Sequence, residues 1–159
     1  MEIMVGISDM KVSNNPDDVL ITYSLGSCIG VTIWDPEVRT GGLLHYLLPD
    51  SNLNKEKAKK NPFIFSDSGV PLLFREAYKF GALKKRMIVK VAGGAQVLGN
   101  NDFFDIGKRN MLALRKIFWR NNVIVAGSDI GGTISRTIFL NIKTGVTLVK
   151  MPGRKASAL

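Results

Sequence analysis

Apolar and β-branched residues crowd the chain after residue 18, broken at short intervals by turn formers. Val19-Leu20-Ile21-Thr22-Tyr23-Ser24 predicts a strand, and Leu25-Gly26-Ser27 predicts the turn that follows it. A second strand, Ile29-Gly30-Val31-Thr32-Ile33-Trp34, ends at Asp35-Pro36, and a third, Gly41 to Leu48, is stopped by Pro49. Short connections predict that these three are neighbours in one sheet. Ser13-Asn14-Asn15-Pro16-Asp17-Asp18 carries the turn residues that precede such a strand. Pro49 to Pro62 is polar and lysine-rich, and reads as an exposed loop with room for one helical turn.

Helical spacing appears further on. Val70, Leu73, Phe74, Ala77 and Tyr78 predict a helix from Asp67 to about Phe80, with Asp67 or Ser68 as cap and Gly81 as stop. Pro71 is tolerated there only if it falls in the first turn. Met111, Leu114, Ile117 and Phe118 form one stripe of a second helix, from about Gly107 to Asn121. Strands are expected at Arg86–Val91, Val123–Ala126, Thr133–Asn141 and Val146–Met151, with Lys143-Thr144-Gly145 as a hairpin turn between the last two. Strands come in runs instead of strict alternation with helices. The pattern predicts a single α/β domain over 1–159, a layered sandwich of mixed β-sheets with helices packed outside and not a doubly wound fold.

Composition narrows the chemistry. The 159 residues are 45% hydrophobic and 22% charged, values of an ordinary globular protein. Lys and Arg outnumber Asp and Glu by 22 to 13, and the net charge of +9 predicts an acidic partner. A single cysteine excludes an internal disulfide and any multi-cysteine metal site. No secretory signal and no membrane-length apolar run is present, so a soluble, cytoplasmic chain without membrane insertion is expected.

One cysteine and one histidine allow one thiol–imidazole pair, Cys28 with His45. Cys28 follows Gly26-Ser27 where a turn feeds a strand, a place where main-chain N–H groups of Ser27 and Cys28 are free to receive an oxyanion. Cysteine is equally at home as a small buried hydrophobe, and His45 among Leu43, Leu44, Tyr46 and Leu47 equally fits a hydrogen-bonded core histidine. Strand parity sets Thr22 on one face with Leu20 and Ser24, and Val19, Ile21, Tyr23 and Leu25 on the other. Thr22 offers an orienting oxygen, although threonine favours strands in any case. Gly93-Gly94-Ala95 and Gly131-Gly132 match no phosphate-loop pattern and read as close packing or a pocket wall. His45, Cys28 and the carboxylates show no metal-ligand spacing, so no metal or cofactor is expected. The basic clusters Lys55–Lys60, Lys84-Lys85-Arg86 and Arg154-Lys155 lack interleaved stacking aromatics, which places a nucleic-acid-binding domain below an acidic protein partner.

Thr22-Tyr23-Ser24-Leu25-Gly26-Ser27-Cys28 and His45-Tyr46-Leu47-Leu48-Pro49 resemble two blocks of the CheD family, chemoreceptor glutamine deamidases. Lys90 to Ala95, Ile106-Gly107-Lys108-Arg109-Asn110 and Gly131-Gly132 with Arg136 resemble three further segments in the same order. The resemblance implies a layered α/β fold related to toxin deamidases. It also implies Cys28 as nucleophile, His45 as base and Thr22 as the third member. It implies chemoreceptor (methyl-accepting chemotaxis protein) cytoplasmic helices as substrate, and a CheC-type phosphatase as a second partner. The expected reaction forms a thioester from a glutamine side chain, releases ammonia and leaves glutamate. An ester would give the same thioester, so weak methylesterase activity is expected alongside. A mainly non-catalytic role in binding receptors or CheC is the alternative. Phe65-Ser66-Asp67-Ser68-Gly69 and Ser135 depart from the family pattern at positions outside the three site residues.

Overall fold

The computed structural model describes residues 1–96 and 105–159. Ten strands make two sheets: β1 (Glu2–Met4), β2 (Asp9–Ser13), β3 (Val19–Leu25), β4 (Ile29–Asp35), β5 (Thr40–Tyr46), β6 (Ile88–Gly93), β7 (Val125–Ile130), β8 (Arg136–Asn141), β9 (Thr147–Lys150) and β10 (Ser157–Ala158). One sheet runs β1-β3-β8-β9-β10 and the other β2-β5-β4-β6-β7. The helices are α1 (Lys55–Lys60), α2 (Ser66–Tyr78) and α3 (Ile106–Arg120).

The α/β sandwich expected from the sequence is what forms, in three layers. Along β4, Ile29, Val31 and Ile33 alternate onto the face covered by Val70, Leu73 and Phe74 of α2 and Met111, Leu114 and Phe118 of α3. The opposite face of that sheet, with Leu43 and Ala92, meets Leu20, Leu25, Ile138 and Leu140 of the other sheet. Each core thus belongs to one side of the β4–β5–β6 layer, and that layer is buried on both faces.

Three expectations need correction. The first predicted strand is not a neighbour of the next two: β3 pairs with β1 and β8, while β4 pairs with β5 and β6. Gly26-Ser27-Cys28 therefore carries the chain from one sheet to the other. The parity of β3 holds only as far as Thr22. Its register with β8 shifts between Thr22 and Leu25, and Ser24 takes a positive φ of 59°. This bulge turns Ser24 outward and brings Leu25 into the core between the sheets. The third correction concerns α2, which starts at Ser66, so Pro71 falls in the second turn and removes a donor from the helix ladder. Neither Asp67 nor Ser68 caps that helix. Asp67 accepts from the Ser51 N–H and hydroxyl (2.9 and 2.6 Å), and Ser68 donates to the Pro62 carbonyl.

Elsewhere the boundaries move by a few residues. Pro49–Pro62 holds more structure than a loop, since Asn54 caps α1 by accepting from the Lys57 N–H. Lys143-Thr144-Gly145 turns the chain between β8 and β9, with the Gly145 N–H on the Asn141 carbonyl at 2.8 Å. Arg86 lies outside β6 and grips the buried Asp35 carboxylate at 2.9 Å.

Candidate active site

Cys28, His45 and Thr22 come from three different segments, and the fold gathers them between the two sheets. His45 shares its face of β5 with Leu43, in the core between the sheets, and Thr22 shares its face of β3 with Leu20, in the same core. The two meet across the gap: Thr22 Oγ1 lies 2.7 Å from His45 Nδ1, and both residues are fully buried. Thr22 Oγ1 also lies 2.8 Å from the Val5 main-chain oxygen.

That second contact assigns the protons. A carbonyl oxygen only accepts, so the Thr22 hydroxyl donates its one hydrogen to Val5. The hydroxyl oxygen must then accept from Nδ1–H, which leaves Nε2 of the neutral ring with its lone pair. Nε2 is buried and has no hydrogen-bond partner among the described residues. The neutral imidazole thus has a fixed orientation and an unused lone pair on Nε2.

Cys28 stands one residue before β4, against the same core between the sheets. Gly30 of β4 is the direct partner of His45, and Cys28 stands two residues before Gly30. It precedes the ladder, whose last pair is Ile29 with Tyr46, and no hydrogen bond joins its thiol to His45 Nε2. Cys28 packs against the core between the sheets and is half-buried, whereas Thr22 and His45 have no exposure. Cys28 is the member of the three with any solvent exposure. Among the described residues, the N–H groups of Ser27 and Cys28 donate to no other residue, and the Cys28 N–H faces its own sulfur.

Burial favours the neutral form of each group. Burial pushes the Cys28 thiol up, and its own N–H offsets this only in part. Burial pushes His45 down to about 4. A preformed thiolate at neutral pH, the usual expectation for a paired cysteine, is not what this arrangement favours.

The Gly93-Gly94 segment packs its main chain closely against the turn that carries Cys28. Gly93 has φ of 115°, and a Cβ there would lie 2.2 Å from the Cys28 carbonyl oxygen. The Gly94 N–H donates to that same carbonyl at 2.9 Å, and the Ala95 N–H donates to the Gly26 carbonyl at 2.7 Å. Gly107 opens α3 against this turn so closely that a Cβ would meet the Gly94 oxygen at 2.6 Å. Gly94 also lines a cleft with Gly131, Gly132 and Lys108, whose described lining includes none of Thr22, Cys28 and His45. Ser66, Asp67 and Ser135 make no hydrogen bond to Thr22, Cys28 or His45 among the described residues. No group of three metal-ligating side chains occurs among the described residues.

Sequence reasoning passed over three contributors. Val5 fixes the proton on Thr22 through a main-chain oxygen, which no residue type signals. Tyr46 is fully buried beside His45, facing the helices, and donates to the Asn110 carbonyl at 2.7 Å. Asn110 is also fully buried and ties together two main-chain carbonyls near the site. Its segment, Ile106 to Asn110, stood out only through the family resemblance.

Comparison with known proteins agrees with that resemblance. Residues 47–151 match the profile of the CheD family, described as CheD chemotactic sensory transduction. The chain is similar to the probable chemoreceptor glutamine deamidase CheD 1 of Syntrophus aciditrophicus, with 55% identity over 96% of this chain and 95% of the relative. It is 45% identical to the probable chemoreceptor glutamine deamidase CheD of Solibacter usitatus, over 97% of this chain and 91% of that one. A third relative of the same description, from Syntrophotalea carbinolica, is 42% identical over 96% of each chain. The profile match begins beyond His45, but the relatives span nearly the whole chain.

Proposed function

This chain belongs to the CheD family, and on that premise we propose that it is a protein-glutamine deamidase acting on chemoreceptor cytoplasmic helices. The observation that carries the reading is the Thr22–His45 contact, because it leaves a lone pair on Nε2 in the core against which Cys28 packs. His45 takes the proton of Cys28, and the sulfur attacks the glutamine carboxamide carbon. The carbonyl electrons move to oxygen, where the Ser27 and Cys28 N–H groups receive the charge; one such donor contributes roughly 3–4 kcal/mol in comparable sites. His45 returns its proton to the nitrogen, the C–N bond breaks and ammonia leaves. Water adds to the thioester with His45 as base, and glutamate and the free thiol are regenerated.

The net charge of +9 supports an acidic helical substrate, since opposite charges speed encounter. A substrate on receptor cytoplasmic helices supports a cytoplasmic location. We propose a CheC-type phosphatase as a further partner of the same chain, bound through surface that does not need the thiol. An ester at a receptor glutamate would enter the same thioester, which gives a weak methylesterase activity.

The test incubates the purified protein with receptor cytoplasmic fragments and follows ammonia release and the amide-to-acid mass change at individual glutamines. Wild type is expected to convert them, and Cys28→Ala, folded, to release no ammonia above background while still binding fragments. Full activity in folded Cys28→Ala overturns the mechanism, and absence of conversion by wild type overturns the function.

A further inference from the structure

We propose that Asn110 is a positioning residue: its side-chain amide sets the segment carrying Cys28 against the strand carrying His45. The proposal rests on the thiol–imidazole reading above. Both hydrogens of the amide are used. Nδ2 donates to the Ser27 carbonyl at 2.8 Å and to the Leu47 carbonyl at 2.8 Å. Since carbonyls only accept, the orientation of the amide follows from its partners. Ser27 immediately precedes the thiol, and Leu47 lies two residues beyond the imidazole.

The need for such a clamp comes from the topology. Cys28 stands in the passage between two sheets, just before β4, where the ladder with β5 has not begun. Its carbonyl is held by Gly94, but the preceding peptide depends on Asn110. Leu47 likewise lies just past the end of β5. The amide thus extends the β4–β5 pairing by one side-chain bridge beyond its last main-chain pair. Asn110 itself is held from α3, and the Tyr46 hydroxyl grips its main-chain oxygen at 2.7 Å. A misplacement of about 1 Å between reacting groups can cost a hundredfold in rate, so a bridge of this kind acts on kcat before KM.

Because Cys28 is the one cysteine in the chain, iodoacetamide reports on it alone. In wild type, the alkylation rate is expected to rise through about pH 4 as His45 loses its proton, level off, then rise again as the free thiol ionises. Asn110→Asp keeps the shape of the side chain but replaces both donors with acceptors facing carbonyls. It is expected to lose the lower, imidazole-dependent limb at least tenfold while keeping the upper limb, and to lower kcat for deamidation by about a hundredfold with KM little changed. A purely structural role would lower thermal stability and leave both limbs in place; that result overturns the proposal. If Asn110→Asp does not fold, Tyr46→Phe decides. A several-fold loss of the lower limb supports the clamp, and an unchanged lower limb overturns it. Should wild type show both limbs yet release no ammonia from receptor fragments, the deamidase reading falls and the positioning role stands.

Discussion

The Thr22 hydroxyl and the His45 imidazole meet across the gap between two sheets, Oγ1 to Nδ1 at 2.7 Å, with no solvent access to either. The contact is directional because the Val5 carbonyl claims the hydroxyl hydrogen. Thr22→Ser keeps donor and acceptor and is expected to retain deamidation within a few-fold. Thr22→Val keeps the volume but removes both, so kcat is expected to fall about 10–100-fold as the ring loses its tautomer and orientation. The same variant leaves two buried polar groups unpaired and is expected to cost about 1–3 kcal/mol in denaturant unfolding. Equal rates for the serine and valine variants would sink the orienting role.

Burial of His45 makes the protein sensitive to mild acid. The ring titrates at about 4 in the fold against 6.5 when free. Below 6.5 the unfolded chain takes up a proton that the fold excludes, so this contribution is complete above 6.5 and is lost as the pH falls towards 4. The full loss is at most about 3 kcal/mol. Urea midpoints should therefore drop between pH 7 and pH 5, and His45→Gln should flatten that drop. Activity, which needs the neutral ring, is expected to hold through the same interval and to fall only near pH 4.

The strand-rich sandwich was legible because β4, β5 and β6 are buried on both faces and read as apolar runs. Cys28 and His45 were legible as candidates, since one thiol and one imidazole leave no other pair to consider. Partnership of strands was not. β3 is drawn out of the expected sheet by β8, far along the chain, and such distant pairing leaves no local mark. β1 and β2 escaped notice because they are short, half-exposed and interrupted by Gly6 and by Ser8 at positive φ. Nor does residue type disclose that Asn110 spends both amide hydrogens on main-chain carbonyls of the site.

Asp35 is the charge on which the far end of β4 depends. It has no exposure, and it accepts from the Leu83 and Glu37 N–H groups, each at 2.9 Å, and from Arg86. Burial alone would raise its pKa, but Arg86 and the two N–H groups outweigh burial and hold it below the ordinary value. Stability from this carboxylate is complete above the unfolded pKa of about 3.9 and is lost as the pH falls through the lower folded value. Asp35→Ala is expected to cost about 3 kcal/mol at neutral pH, the low end for a broken buried pair because Arg86 keeps Glu37 and water. Thermal melts at pH 7 check it, with iodoacetamide labelling of Cys28 in the folded variant expected to stay near wild type.

Gly93 separates strain at the site from strain in the core. Its φ of 115° excludes an ordinary side chain, and a Cβ would press on the Cys28 carbonyl at 2.2 Å, a backbone atom with no rotamer to yield. Relief requires the Gly26–Cys28 passage to move, and that passage carries the thiol and the Ser27 and Cys28 N–H groups proposed to receive the oxyanion. Gly93→Ala is therefore expected to lower kcat by at least a hundredfold. Part of the strain should appear as lost stability, roughly 1–3 kcal/mol for a residue forced into this region. Gly131→Ala is the matched control, since Gly131 also has positive φ but no atom within 4 Å of its added Cβ. Similar stability loss in both with catalysis lost only in Gly93→Ala would show that close approach to Cys28, not backbone conformation, is what the glycine serves. Equal retention of kcat in both would remove Gly93 from the site.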